Sequence, residues 1–179
     1  MNFNYVFHTH FGYAALLYSV KPFYITGILL PYPDKKDILQ NTTGHPAGKD
    51  VLHPQALLVI KSIQDYFLGK MEFFSPVFFE WMNFGNMTPL EKKVLQATAL
   101  IPYGQTASYS DIAGAVGRQN AYRFVGNTLA KNPFPVIVPC HRVIKSDGSY
   151  GGFGGGKDLK IKMLALEQHQ SPTSFLVSE

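Results

Sequence analysis

The segment Pro139-Cys140-His141-Arg142-Val143-Ile144 carries the only cysteine among the 179 residues of the chain. The apolar run 136–138 precedes it, which indicates a buried strand that presents the Cys-His pair at its end. A thiol attacks as the thiolate, and a neighbouring histidine or arginine lowers its pKa. A lone cysteine is more often a small buried apolar residue, so residues elsewhere in the chain have to decide whether this one reacts.

Composition is that of a globular chain with one or two domains. Apolar residues make up 46% of it and charged residues 16%. No apolar run approaches the roughly 20 residues of a membrane span, and the N-terminus has no signal-peptide pattern. We therefore expect a location in the reducing cytoplasm or at the nucleoid and no membrane partner. Cysteine and histidine are not found at metal-ligand spacing, so we expect no metal and no other cofactor.

Charge is unevenly distributed along the chain. Residues 1–90 hold six basic and six acidic side chains, and residues 91–179 hold ten basic and six acidic ones. The whole net charge of +4 therefore lies in the second half. This asymmetry favours a polyanion as the partner of that half, although an ordinary solvated surface is the alternative.

The first 85 residues predict a small α+β unit. Strands are expected over 11–20 and 23–30, a helix over 53–68 and an irregular or edge strand over 73–82. The composition changes at 83–87, which we interpret as a linker. The predicted domains are therefore 1–85 and 86–179.

The second half begins with helical signals. Thr88-Pro89-Leu90-Glu91 and Ser108-Tyr109-Ser110-Asp111 each match a capping box. A third helix is predicted over 121–131, with Asn120 as its N-cap. Because two short helices are separated by a turn containing Gly117, they indicate a helix-turn-helix.

The second helix of this pair has polar and conformational features that suit nucleic acid. Arg123 and Asn127 occupy polar positions, and Gly126 in mid-helix costs about 1 kcal/mol relative to alanine. Close approach of a partner or simple helix packing explains that glycine equally well. A base in a duplex is stacked, so an enzyme acting on it must flip it out and fill the gap. The length and charge of Arg123 suit that task, and the glycines of 151–156 would offer backbone N–H groups.

Glu167 lies at the end of a last helix predicted over 158–168. A negative charge there opposes the helix dipole by about 0.3–1 kcal/mol, which suggests a dedicated partner such as an imidazole. An exposed, frayed glutamate is the alternative. With a partner, Glu167 would orient a histidine that takes the proton of Cys140.

From Thr88 to Glu167 the chain resembles the O6-alkylguanine-DNA alkyltransferases. The segment Pro139–Ile144 is similar to the active-site signature of that family. Further matching motifs, in order and spacing, are Ile101-Pro102-Tyr103-Gly104, Ser108-Tyr109, Arg123-Phe124-Val125-Gly126, Asn132-Pro133 and the glycine loop before Glu167.

The resemblance implies single-turnover DNA repair, in which Cys140 irreversibly takes the alkyl group of an O6-alkylguanine flipped from duplex DNA bound through its minor groove. It implies that Tyr109 donates to guanine N3, that Arg123 replaces the flipped nucleotide and that Asn132 is a hinge. The predicted catalytic residues are Cys140, His141, Glu167, Tyr109 and Asn132. The predicted DNA-binding residues are Arg123, Tyr109, Ser108, Asn127 and Gly126. The predicted substrate pocket consists of Val143, Phe153, Gly154 and Pro135, with backbone groups of Cys140, Val143 and Gly154 contacting the base.

The resemblance also implies a fold class. We expect an α+β two-domain protein, with an RNase H-like N-terminal domain and a mostly helical C-terminal domain that contains the helix-turn-helix and the cysteine, acting as a monomer. Gly154 stands where the family often has serine, which predicts tolerance of larger O6 substituents. The sequence leaves activity toward O4-alkylthymine open. The alternatives are a damage sensor that binds without transfer, which the intact Cys140 disfavours, and a cysteine hydrolase.

Overall fold

The computed structural model describes residues 1–48, 52–85 and 87–168, which form a mixed α+β fold. Contacts divide the chain into two compact units. One comprises Met1–Asn86 with Pro133–Ile137, and the other comprises Met87–Asn132 with Val138–Glu179. The segment Pro133–Ile137 therefore belongs with the first unit, although it lies far along the chain.

The first unit is built on a four-stranded sheet with the spatial order β3-β2-β1-β4. Its elements are β1 Asn2–Thr9, β2 Gly12–Val20, β3 Phe23–Tyr32, α1 Lys35–Asn41, β4 His45–Pro46, α2 Pro54–Phe67 and α3 Val77–Glu80. Neighbours β1, β2 and β3 pair antiparallel, whereas β4 pairs parallel with β1. The predicted strands β2 and β3 and the predicted helix α2 are confirmed.

Helix α2 covers the sheet because one of its faces is apolar. Its buried face includes Ala56, Val59, Ile60 and Ile63, and Pro54 suits the first turn, where a backbone N–H is not needed. The irregular or edge strand predicted over 73–82 is confirmed only at its end, where Met82 forms a parallel bridge with Ile25 of β3, and it is wrong for the residues before it. Phe78 N donates to Ser75 O, and a single helical turn, α3, follows Pro76.

The strand predicted for 136–138 is not present, because Pro133–Ile137 forms bends and turns that meet β3 through one backbone hydrogen bond. Ile28 N donates to Pro133 O at 2.8 Å, and the Phe134 ring packs edge-on against Phe84 with centroids 5.5 Å apart. Val136 has a φ of 75°, in the left-handed region that β-branched residues avoid. Burial of residues 134–137 holds Val136 in that conformation.

The second unit consists of helices around a short parallel strand pair. Its elements are α4 Pro89–Ala99, β5 Ala107–Ser108, α5 Tyr109–Ala115, α6 Tyr122–Ala130, a 3-10 turn Cys140–Arg142, β6 Val143–Ile144 and α7 Lys157–Gln168. Strands β5 and β6 pair parallel, which brings the start of α5 next to the segment that follows the cysteine.

Both predicted capping boxes are present. Thr88 and Glu91 cap α4 reciprocally, and Ser108 and Asp111 do the same for α5. The prediction that Asn120 caps α6 is wrong. Asn120 has a left-handed backbone with φ 70°, and Ala121 occupies the cap position without a side-chain hydrogen bond.

Candidate active site

The site is centred on Cys140, which begins a 3-10 turn and is almost fully buried. The turn is closed by Arg142 N donating to Pro139 O at 2.9 Å. The side-chain amide of Asn132 donates to Val138 O at 3.0 Å and to Cys140 Sγ at 3.2 Å. Burial raises the pKa of the Cys140 thiol, and the Asn132 hydrogen bond and the charge of Lys160 oppose that rise. Asn132 is thus a donor that would stabilise a thiolate.

Behind the cysteine, Glu167 is completely buried and holds the neighbouring His141. His141 Nε2 lies 2.7 Å from Glu167 Oε1. Burial lowers the pKa of His141, while the hydrogen bond and charge of Glu167 partly counter the effect. Burial acts to raise the pKa of Glu167, but hydrogen bonds and charge from His141 and Arg142 outweigh it and lower the pKa to about 2. The pair is therefore an ionised carboxylate and a neutral imidazole at neutral pH.

Arg142 is the main cation of this buried cluster. Its Nε donates to Glu167 Oε2 at 2.8 Å, and its Nη2 donates to Oε1 at 3.1 Å. Its Nη1 donates to Ile101 O at 2.6 Å, and its guanidinium lies 5.5 Å from the centre of the Tyr103 ring. Gly104 N supplies a further donor to Glu167 Oε2 at 3.1 Å. A buried charge is tolerated when it is paired and hydrogen-bonded, and this carboxylate meets both conditions.

Lys160 is the second buried cation. Its Nζ donates to Val143 O at 2.6 Å and to Tyr150 O. Burial lowers the pKa of Lys160 to about 8, and the nearby Cys140 acts in the opposite direction. The ammonium thereby joins the segment after the cysteine to the glycine-rich loop and places a positive charge near the thiol.

A cavity of about 340 Å³ opens onto the thiol. Its lining residues are Tyr109, Gly126, Leu129, Ala130, Cys140, Gly152, Phe153 and Gly154. The Phe153 ring also lies edge-on to the His141 ring, with centroids 6.3 Å apart. The cavity is therefore bounded by α5, α6, the cysteine turn and the glycine loop.

Tyr109 lies between two glycines in this cavity. A Cβ added at Gly126 would lie 3.8 Å from the ring, and one added at Gly151 would lie 2.9 Å from the hydroxyl oxygen. Burial raises the pKa of Tyr109, so its phenol stays protonated and can donate. Only at Gly151 does the backbone come too close to Tyr109 for a Cβ, whereas the 3.8 Å distance at Gly126 is an ordinary contact that an alanine could make.

The structure brings most predicted catalytic and pocket residues together. Tyr109, Phe153 and Gly154 share the cavity with the thiol, as does Gly126, which was predicted to bind DNA. Asn132 donates to the thiol, and His141, the residue after Cys140, pairs with Glu167. Two predicted pocket residues, Val143 and Pro135, are buried and do not line the cavity, and Pro135 groups with the first unit.

The predicted DNA-binding residues occupy different surroundings. Arg123 and Asn127 are exposed one turn apart on α6, and Arg123 lies 6.0 Å from the centre of the Tyr122 ring. The Ser108 hydroxyl accepts from Asp111 N at 3.0 Å, so it serves as the cap of α5.

Sequence reasoning missed Arg142 and Lys160 as members of the site. Arg142 lies within the cysteine segment, and its position next to His141 was an available signal. Lys160 shares one face of α7 with Met163, Leu164 and Glu167, all of them buried. Lys160 precedes Met163 by three residues and Glu167 by seven, and residues at these spacings lie on one side of a helix. This spacing was the signal that Lys160 is a buried charge.

Comparison with known proteins identifies the family. Residues 89–169 match the family model described as 6-O-methylguanine DNA methyltransferase, DNA binding domain. A methylated-DNA--protein-cysteine methyltransferase of Mycobacterium leprae is 48% identical over 88 residues, which are 49% of this chain and 53% of that protein. The constitutive methylated-DNA--protein-cysteine methyltransferase of Bacillus subtilis is 36% identical over 136 residues, covering 75% of this chain and 76% of that protein. The chain belongs to this methyltransferase family.

Solved structures extend the likeness beyond the sequence match. The crystal structure of Mycobacterium tuberculosis OGT in complex with DNA has a TM-score of 0.72 and 28% identity, and the alignment covers 95% of each chain. Several curated methyltransferases, including that of M. leprae, are matched over only about half of their length. In the described ranges, no helix is long and apolar enough to cross a membrane, and no group of three or more potential metal ligands occurs.

Proposed function

We propose that the protein repairs DNA by moving an alkyl group from O6-alkylguanine to Cys140, once and irreversibly. The observation that carries this proposal is a single thiol that lines a cavity of about 340 Å³ and is followed in the chain by a histidine that pairs with Glu167. Membership of the methyltransferase family and the DNA-bound M. tuberculosis relative support DNA as the substrate.

The chemistry follows from the positions of the donors and acceptors. Glu167 is ionised and can only accept, so His141 carries its proton on Nε2 and takes a further proton at Nδ1. The thiol proton passes to His141, directly or through water, and the thiolate attacks the alkyl carbon. The S–C bond forms as the C–O6 bond breaks, and the electron pair of that bond remains on the guanine. The Tyr109 hydroxyl donates to guanine N3 and neutralises the leaving group.

The product explains why a single turnover is expected. The S-alkylcysteine is a thioether, and because a thiolate is a poor leaving group from an alkyl carbon, the alkyl group stays on Cys140. We assign Asn132 the role of thiolate donor and hinge, because its amide touches both Cys140 and the backbone at Val138. Phe153 and Gly154 limit the space that is available to the alkyl group. The backbone carbonyl of Val143 is proposed to accept a hydrogen bond from the guanine.

For DNA binding we infer that α5 and α6 form a helix-turn-helix that enters the minor groove. Exposed Arg123 and Asn127 on α6 support this inference, and Arg123 fills the place of the flipped nucleotide. Ser108 orients α5 through its cap, and Gly126 on α6 lines the cavity beside Tyr109. The proposal includes a monomer in the cytoplasm or at the nucleoid, an RNase H-like domain over 1–85 and a DNA-binding and transfer domain over 86–179.

The test uses duplex DNA that carries O6-methylguanine labelled on the methyl group. We expect one label per protein, bound to Cys140 and absent from the variant Cys140→Ala. Repeated release of label to solvent would instead identify a cysteine hydrolase. Tight binding of the damaged duplex by the unmodified protein with no transfer would identify a damage sensor. The same assay with O4-methylthymine decides whether that base is also a substrate.

A further inference from the structure

Arg142 occupies a position that the proposed chemistry does not yet use. It is buried, and its fork contacts both oxygens of the Glu167 carboxylate, Oε2 through Nε and Oε1 through Nη2. Side-on pairing of this kind fixes the plane of the carboxylate as well as its charge. The oxygen Oε1 also lies 2.7 Å from His141 Nε2. By fixing the orientation of the carboxylate, the guanidinium therefore fixes which of its oxygens contacts the imidazole.

The outer side of the guanidinium is equally fixed. Nη1 donates to Ile101 O, and the Tyr103 ring lies under the guanidinium. The Tyr103 hydroxyl reaches Leu166 O at 3.4 Å, and Gly104 N donates to Glu167. The turn 101–104 therefore clamps the arginine against the end of α7, and neither partner of the ion pair can rotate without losing several hydrogen bonds.

We propose that Arg142 is a positioning residue for alkyl transfer, which keeps Glu167 ionised and aimed at His141 and so fixes the histidine tautomer whose Nδ1 accepts the thiol proton. The inference rests on the proposed function and deepens it. Without the guanidinium, a buried carboxylate next to a buried imidazole would take up a proton at moderately acidic pH. A protonated Glu167 donates, His141 Nε2 must then accept, and Nδ1 becomes the protonated nitrogen and loses its function as a base.

The charged groups that influence the protonation of His141 come from helix α7 and from the cysteine turn. Helix α7 supplies Glu167 and Lys160, and the cysteine turn supplies Arg142 and the thiol. Helix α4 also packs against this turn, and its charged residues, Glu91, Lys92 and Lys93, occupy partly or fully exposed positions in its first half. Arg142 and Lys160 both disfavour a proton on His141, whereas Glu167 favours it. Removal of the Arg142 charge therefore lets the His141–Glu167 pair as a whole bind an additional proton at higher pH.

The first test is the pH profile of single-turnover transfer at saturating methylated duplex. Arg142→Gln should move the acidic limb of the profile to higher pH by about one unit and lower the plateau rate at least about 10-fold, as expected for a misplaced general base. Arg142→Lys keeps the charge but not the fork, so its plateau should fall while its acidic limb stays in place. Lys61→Gln on α2 removes one exposed positive charge and serves as the control, with an unchanged profile. An unshifted limb in Arg142→Gln would overturn the proposal.

The second test needs no activity and no DNA. The ¹⁵N shifts of the His141 ring report its tautomer, and the wild type should show the Nε2–H tautomer at neutral pH, because burial lowers the pKa of His141. The tautomer should change in Arg142→Gln as the pH falls. An Nδ1–H tautomer in the wild type would refute the inference even if the arginine variants do not fold. Absence of labelled Cys140 in the wild type would instead refute the proposed function and leave the tautomer measurement interpretable.

Discussion

Gly151→Ala tests how closely the glycine loop holds Tyr109. The added Cβ would lie 2.9 Å from the Tyr109 hydroxyl oxygen and 3.2 Å from Cε2, where ordinary contacts begin at 3.4 Å. The hydroxyl must therefore move by about 0.5 Å. A displacement of 1 Å costs about 10²-fold in rate, so we expect a loss of roughly 10-fold in single-turnover transfer.

Gly151 also has a φ of +65°, which adds about 1 kcal/mol of backbone strain to any alanine at this position. Gly148→Ala is the matched control, because Gly148 has a φ of +82° and nothing lies within 4 Å of its added Cβ. Both variants should lose about 1 kcal/mol in urea unfolding, but only Gly151→Ala should slow transfer.

A double-mutant comparison tests whether Gly151→Ala slows transfer by displacing the Tyr109 hydroxyl. In a Tyr109→Phe background the closest contact of the added Cβ disappears, so Gly151→Ala should cost clearly less than in the wild type, a non-additive result. The reasoning would be refuted if Gly148→Ala and Gly151→Ala slowed transfer equally, or if the two changes at Tyr109 and Gly151 were fully additive.

Three further predictions address pocket size, DNA and acid stability. Gly154→Ser should slow transfer from O6-benzylguanine relative to O6-methylguanine, because the added Cβ of Gly154 points into open space that the larger substituent would use; equal slowing of both substrates would contradict this. Arg123→Ala should slow repair in duplex DNA and spare reaction with the free base, since exposed Arg123 contacts only the duplex in the proposal; loss of reaction with the free base would make it structural. The pKa of Glu167 is lowered from 4.5 to about 2, so its contribution to folding is present above pH 4.5 and lost as the pH falls toward 2. That contribution is about 3 kcal/mol at neutral pH, and urea unfolding of Glu167→Gln against the wild type at pH 7 and pH 3 should show the difference shrink.

Local sequence signals identified much of the fold. The capping boxes at Thr88 and Ser108 predict where α4 and α5 begin, since the side chains and the backbone groups they cap lie within four residues of one another. The strands β2 and β3 and the helix α2 were predicted for the same reason, from periodicity and nearby turn residues. Short-range patterns failed over most of 73–82, where aromatic residues that suggest a strand form part of a helical turn, and at Asn120.

The candidate site likewise has residues that the sequence predicts and residues that only the folded structure reveals. The sequence by itself predicts Cys140 as the nucleophile, because one cysteine stands beside a histidine in a segment that resembles the family signature, and a glutamate lies against the dipole of the last helix. Only the tertiary structure shows that two buried cations, Arg142 and Lys160, belong to the site. Their hydrogen-bond partners lie 10 to 41 positions away along the chain. It also decided that Val143 and Pro135 lie outside the cavity and that Gly151 faces Tyr109. These long-range contacts could not be predicted from the sequence, because burial and ion pairing depend on which surfaces the folded chain brings together.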